Sequence, residues 1–304
     1  MSFLIFFLSL PLLSLAARFK HLVTFGDSYT DIVNVGDGGT AWPVYAAGYA
    51  DLTLHPFARS GATCSNLITP RPFPSIFESQ LPLYFAEKHN GSLRVAPGET
   101  LYTQWIGTND VGVYSLVTGS NGASIVDVVG CMVDWVRVLY KDGARNFLVQ
   151  NMVPLNEVIL YAPDSYPNRY FSDARNTTEW SVFMRELVLS GNALSRAMLQ
   201  ALVPEVPGAH IGIFDSHALF QDVHDNPAAY LNGTAPLNVT GAAVSCVFAE
   251  GGGSSVCTTA QGTDRDSFLW YDELHPSEQA DRIVAREIAQ VARGEENKWT
   301  TWIV

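Results

Sequence analysis

Charge is scarce in this chain of 304 residues: Asp, Glu, Lys and Arg make up 16%, and acidic side chains outnumber basic ones 30 to 18. A net charge of −12 leaves no basic footprint, so neither nucleic acid nor an anionic membrane surface is expected as a partner. Cysteines number four, with no Cys-x-x-Cys pair and no Cys/His spacing of a zinc site. No metal or other cofactor is therefore expected. Internal repeats and an interdomain linker are also lacking. No apolar run reaches the ~20 residues of a membrane span.

What is present is apolar. Hydrophobic residues are 47% of the chain, enough to bury a sizeable core. Residues 2–17 (SFLIFFLSLPLLSLAA) are apolar and end in small residues. Ser14-Leu15-Ala16 suits cleavage after Ala16, which sets residues 1–16 as a signal peptide and 17–304 as one domain. No Lys or Arg precedes the apolar stretch, which leaves a retained anchor as the alternative. Four N-x-Ser/Thr sequons, at Asn90, Asn176, Asn232 and Asn238, fit a secreted, extracellular glycoprotein. Cys246 and Cys257 bracket Gly251-Gly252-Gly253, and a disulfide is expected there. For Cys64 and Cys131, a second bridge and two buried thiols both stay open.

Short apolar runs alternate with helical patterns. His21–Phe25, a weaker stretch near Leu54–Ala58, Leu101–Ile106, Asn146–Met152 and His210–Phe214 read as strands covered on both faces. Apolar residues at three- and four-residue spacing predict helices over 123–141, 178–203 and 277–292. Such alternation implies an α/β fold: a three-layer α/β/α sandwich around a parallel sheet of about five strands. The stretch 226–264 reads as a long surface excursion pinned by Cys246–Cys257.

Four short blocks carry chemistry. Ser28, in Gly26-Asp27-Ser28, follows the first strand where a helix is expected to begin; its plain alternative is a helix cap. His275 has Asp272 three residues before it and Pro276 after it. A carboxylate so placed can hold Nδ1–H and leave Nε2 to take a serine proton. Gly61 lacks a Cβ, so its N–H can approach a ligand, and Asn109 offers a side-chain amide. With the Ser28 N–H these are three donors for an oxyanion. Each block alone has an ordinary reading as a turn or a cap; together and in order they point to acyl transfer. Asp27 reads as a turn residue. His217, His224 and Asp215 lack a recognised metal spacing. Trp42, Trp105 and Trp270 flank the blocks. Trp42 and Trp270 are candidates to stack on sugar faces; packing is the better reading for Trp105.

These blocks resemble the GDSL, or SGNH, hydrolases, whose four name-giving residues match Ser28, Gly61, Asn109 and His275 in order. FGDSYTD, SGATCSN, WIGTNDVG and FLWYDELHPS are similar to the family's successive motifs, and the resemblance spans nearly all of the chain after the leader. It is strongest to the fungal secreted acetylesterases of carbohydrate esterase family sixteen, with WPVY at 42–45 part of the likeness. The resemblance implies a flavodoxin-like sheet, a serine nucleophile, no metal and ester substrates. One departure is His55-Pro56-Phe57-Ala58-Arg59, where the family has an Asn-Tyr-Ala-Val type of run; Arg59 is thus a candidate to shape the oxyanion rim or the substrate cleft.

The expected function is a secreted, monomeric serine ester hydrolase with Ser28, His275 and Asp272 as its triad. Its expected substrates are small acetyl esters, above all acetylated hemicellulose oligosaccharides. A lipase or phospholipase of the same fold is the alternative. A glycan-binding relic that has lost the chemistry is disfavoured, because the Ser, Gly, Asn and His are all present.

Overall fold

The computed structural model describes residues 19–304, so the expected signal peptide at 1–16 lies outside the described residues. Five parallel strands form the centre: β1 (His21–Gly26), β2 (Thr53–Pro56), β3 (Thr100–Trp105), β4 (Asn146–Gln150) and β5 (His210–Phe214). Their order across the sheet is β2-β1-β3-β4-β5. Every residue of β3 and β4 is buried, the polar Thr103, Gln104 and Gln150 included, as central strands covered on both faces require. A sixth strand, β10 (Thr300–Trp302), pairs antiparallel with the outer edge of β5. Sequence reading did not anticipate it, because three residues are too few to show a period.

The helices are α1 (Trp42–Ala50), α2 (Leu81–His89), the single turn α3 (Thr108–Val111), α4 (Ile125–Lys141), α5 (Thr177–Leu202), α6 (Ser216–Asp225) and α7 (Glu278–Arg293). The chain moves from β1 to β2 in one direction across the sheet and from β3 through β5 in the other. Right-handed crossovers therefore put α1 on one face and α4 and α5 on the other. Packing agrees: α1 lies against α7, and α4 against α5. The three long helices begin at side-chain caps. Ser124 and Asp127 form a capping box on α4, Asn176 accepts from the Glu179 N–H on α5, and Ser277 accepts from the Ala280 N–H on α7.

Two expectations need correction. First, 226–264 is more than a surface excursion. It holds β6 (Asn238–Ala242), which pairs in parallel with β9 (Phe268–Trp270), and a hairpin of β7 (Val244–Phe248) and β8 (Ser255–Thr259). Cys246 and Cys257 face each other across that hairpin and are bonded. Second, Trp42 and Trp270 are fully buried and cannot stack on a substrate. The Trp42 indole N–H donates to Thr30 Oγ1 at 3.3 Å, and that of Trp270 to the Val239 carbonyl at 3.1 Å. Trp105 is likewise buried, its indole N–H on the Asn151 carbonyl at 3.0 Å.

Cys64 and Cys131 form the second disulfide, which ties the chain after β2 to α4 across 67 positions. The hairpin bridge spans only 11. Loop-closure entropy makes the longer bridge worth about 4 kcal/mol and the shorter about 3. Urea unfolding of the Cys64→Ala/Cys131→Ala pair is expected to show the larger loss; a larger loss from Cys246→Ala/Cys257→Ala would contradict this ranking.

Candidate active site

The sheet order reverses between β1 and β3, and in such sheets ligands bind at the carboxyl ends of the strands beside that point. Gly26 and Trp105 end the paired register there, which brings Ser28 and Asn109 to the same edge. Ser28 does not begin a helix, contrary to the sequence reading. It sits in a turn, with the N–H groups of Thr30 and Asp31 both on the Asp27 carbonyl at 3.0 Å. The next helix starts at Trp42.

His275 Nε2 lies 2.8 Å from Ser28 Oγ. On the other side of the ring, Nδ1 lies 3.1 and 3.2 Å from the two carboxylate oxygens of Asp272. Asp272 Oδ1 also accepts from the N–H groups of Leu274 (2.9 Å) and His275 (2.7 Å), so the loop curls around its own carboxylate. Burial pushes the Asp272 carboxyl up. The imidazole, the Tyr170 hydroxyl and the His275 N–H outweigh it and hold the group below its ordinary value.

Among the described residues, neither the Ser28 nor the Gly61 N–H has a protein acceptor. Gly61 has φ +78°, and a Cβ there would lie 2.4 Å from the Phe73 ring, so the position requires glycine twice over. The Asn109 amide is oriented from both ends. Its NH₂ donates to the Ala62 carbonyl at 2.9 Å, and its oxygen accepts from Arg71 Nη1 at 3.2 Å. One amide hydrogen stays free.

Buried polar groups fasten the four blocks together. Asp31 accepts from the N–H groups of Val33 and Ser60, Asp110 from the Cys64 N–H and the Thr69 hydroxyl, and the Tyr29 hydroxyl donates to the Leu274 carbonyl at 2.8 Å. Gln80 holds both backbone groups of Gly26.

The cleft over Ser28 encloses about 410 Å³. Arg71, Phe73, Tyr114, Tyr161, Arg169 and Tyr170 line it, and sequence reading named none of these. Arg59 is not in the lining: its guanidinium turns back onto the Ala58 carbonyl at 2.6 Å, while the flanking Ser60 and Gly61 face the cleft. Gly36 was also missed. A Cβ there would meet the His275 ring at 2.4 Å. Its only sequence signal is a glycine shortly after the first block. A larger groove of about 900 Å³, between 65–78 and α4, contains no member of the constellation. Among the described residues, no group of three His, Cys, Asp or Glu could hold a metal ion, and no helix is long and apolar enough to cross a membrane.

A parallel α/β sheet carrying a Ser–His–Asp constellation at its carboxyl edge is the arrangement of the serine class of hydrolases. The model of the GDSL-like lipase/acylhydrolase family matches residues 22–288, and the chain belongs to that family. It is a carboxylic ester hydrolase. An acetylesterase of Hypocrea jecorina is 30% identical, over 93% of this chain and 92% of that protein. An acetylesterase of Thermothelomyces thermophilus is 23% identical, over 90% and 89%. A solved acetylxylan esterase from Geobacillus stearothermophilus aligns with 92% of this chain and 97% of its own, at 14% identity and a TM-score of 0.47, a loose likeness.

Asp27 is buried directly before Ser28, and one of its carboxylate oxygens has no partner. Burial raises its carboxyl from 3.8 to about 7; the Tyr29 N–H opposes this, and the Asp110 charge adds to it. The folded chain thus holds this proton more tightly than the unfolded chain does. The cost to stability is small below the unfolded value, grows as pH rises from about 4 to about 7, and is constant above. Asp27→Asn is expected to gain stability over the native chain by up to about 1.4 kcal/mol per pH unit across that window, with a level difference above it. Urea unfolding over this pH range measures it; a difference that does not change with pH would refute the raised value.

Proposed function

We propose that this protein is a secreted serine esterase that removes acetyl groups from short oligosaccharides derived from hemicellulose. His275, held by Asp272, takes the Ser28 proton as Oγ attacks the ester carbonyl. The free N–H groups of Ser28 and Gly61 and the free Asn109 amide hydrogen hold the resulting oxyanion. The alcohol leaves with the proton from His275, and water then cleaves the acyl-enzyme by the same route. The 2.8 Å contact between Ser28 and His275, made across 247 positions, carries this reading. The acetyl preference is supported by the two fungal acetylesterase relatives and by the modest size of the cleft.

The sugar reading rests on different aromatics from those first considered. Tyr114 and Phe73 stand 56% and 42% exposed at the cleft, which leaves ring faces open to a sugar. Tyr114 has φ +61°, a conformation that side chains rarely adopt and that is concentrated at functional sites. Secretion is supported by the leader sequence, the two disulfides and the sequons. Asn90, Asn176 and Asn232 are exposed and open to glycan, whereas Asn238 is half-buried, with its carbonyl oxygen on the N–H groups of Thr240 and Gly241. We read residues 17–304 as one domain, because one continuous core runs from Phe19 to Ala292.

Ser28→Ala is expected to abolish turnover of an activated acetate ester while leaving the fold intact, and Asn109→Ala to lower kcat by roughly 10²–10³. Full activity in Ser28→Ala would remove the nucleophile from this scheme. Faster turnover of palmitate than of acetate esters would favour the lipase alternative. Tyr114→Ala is expected to raise KM several-fold on acetylated xylo-oligosaccharides and to leave the small activated acetate unaffected. An equal effect on both substrates would argue against a sugar platform.

A further inference from the structure

We propose that Tyr170 is a positioning residue that completes the Ser28–His275–Asp272 constellation by sharing the Nδ1 proton of His275 with Asp272. This inference rests on the catalytic reading above. Tyr170 belongs to the strap 158–176, which carries no regular helix or strand. Its hydroxyl lies 2.9 Å from His275 Nδ1, nearer than either oxygen of Asp272 at 3.1 and 3.2 Å. The same hydroxyl donates to Asp272 Oδ2 at 2.5 Å.

These distances allow one consistent assignment of hydrogens. Ser28 occupies Nε2, so the neutral imidazole carries its proton on Nδ1. The Tyr170 hydrogen points to Oδ2, so its lone pairs face Nδ1–H. When Ser28 hands its proton to Nε2, the imidazolium keeps Nδ1–H between the phenol oxygen and the carboxylate. Tyr170 releases no proton. Burial first, then the Asp272 charge, push the Tyr170 hydroxyl well above its ordinary value, so it remains a donor at every working pH.

The carboxylate is thereby fixed at both oxygens, Oδ1 by backbone N–H groups and Oδ2 by Tyr170. The strap is itself anchored to the hydrolytic loop. Arg169 Nε pairs with the fully buried Glu273 at 2.9 Å, and the Leu160 N–H donates to the Glu273 carbonyl at 2.9 Å. Glu273 also accepts from the Cys246 N–H, which brings the disulfide hairpin into the same assembly. Within the strap, Asn168 is buried, and its carboxamide oxygen accepts the Tyr170 N–H at 3.0 Å.

The titratable and charged groups facing this cluster come from three elements. Asp27 and Tyr29 lie on the turn after β1, Tyr166 and Arg169 on the strap, and Asp272 and Glu273 on the loop before α7. Removal of the Tyr170 hydroxyl takes one hydrogen bond from Asp272 and one from His275 without altering the net charge of the cluster.

The test measures kcat, KM and their pH dependence on an activated acetate ester for the native chain, Tyr170→Phe, Asp272→Asn and the double variant. Tyr170→Phe is expected to lower kcat about 10- to 100-fold, the range commanded by a hydrogen bond to a charged group, with KM unchanged. The acid limb of its profile moves to lower pH, because the imidazolium loses the phenol oxygen that shares its Nδ1 proton. The double variant loses little beyond Asp272→Asn alone. Native kcat and an unmoved acid limb in Tyr170→Phe, or strictly additive losses in the double variant, would overturn the proposal. Loss of near-UV dichroism in Tyr170→Phe would make the residue a packing element and overturn it too. Failure of the underlying catalytic reading shows separately, as turnover that survives Ser28→Ala.

Discussion

A buried acceptor oxygen that finds no donor is costly, and in this protein three acceptors near the site take a donor from a distant stretch of chain. Asp31 binds the N–H of Ser60, Asp110 binds that of Cys64, and the Leu274 carbonyl takes the Tyr29 hydroxyl. Each of these bonds joins two of the four sequence blocks. Loosening any one of them leaves a polar group stranded in the interior. The loops are therefore held nearly as firmly as the strands that launch them, and irregular backbone can keep a hydroxyl and an imidazole 2.8 Å apart.

The sheet sets where this happens. Reversal of the winding between β1 and β3 opens a crevice between the loops that follow them, and the loop before α7 closes over it from the far end of the chain. Ser28, Gly61 and Asn109 line the cleft that this creates, and in the proposed mechanism their N–H groups are its donors. Preorganised donors of this kind stabilise developing charge without reorganising during the reaction. Asp27 and Asp110 show what the arrangement costs: two carboxyls in the interior beneath the cleft, both raised by burial, at about 7 and about 6.

The second disulfide and the strap extend the same logic outward. Cys64–Cys131 anchors the segment that follows Gly61 to α4, and Cys246–Cys257 stiffens a hairpin whose backbone donates to Glu273. Glu273 in turn pairs with Arg169, next to Tyr170. The disulfide hairpin thus reaches the Asp272–His275 pair through Glu273, Arg169 and Tyr170.

The residues themselves determined the strands and the long helices. An unbroken apolar run such as Phe147–Val149 must be buried on both faces, and three- and four-residue spacing in Ile125–Leu139 must form one apolar stripe. The four blocks were legible for a similar reason: Ser, Gly, Asn and the Asp–His pair have few joint uses. Tertiary structure alone decided the rest. Trp42 and Trp270 border the blocks in sequence, yet the sheet and α7 bury them, because a side chain's neighbours in space are set by packing rather than by adjacency. Arg59 turns away while Arg71 turns in, and Gly36 yields space to a ring 239 positions further on. Tyr170 lies in a polar stretch without any period. Its place beside His275 follows only from ion pairs and hydrogen bonds between segments about a hundred residues apart, and a local pattern cannot carry that information.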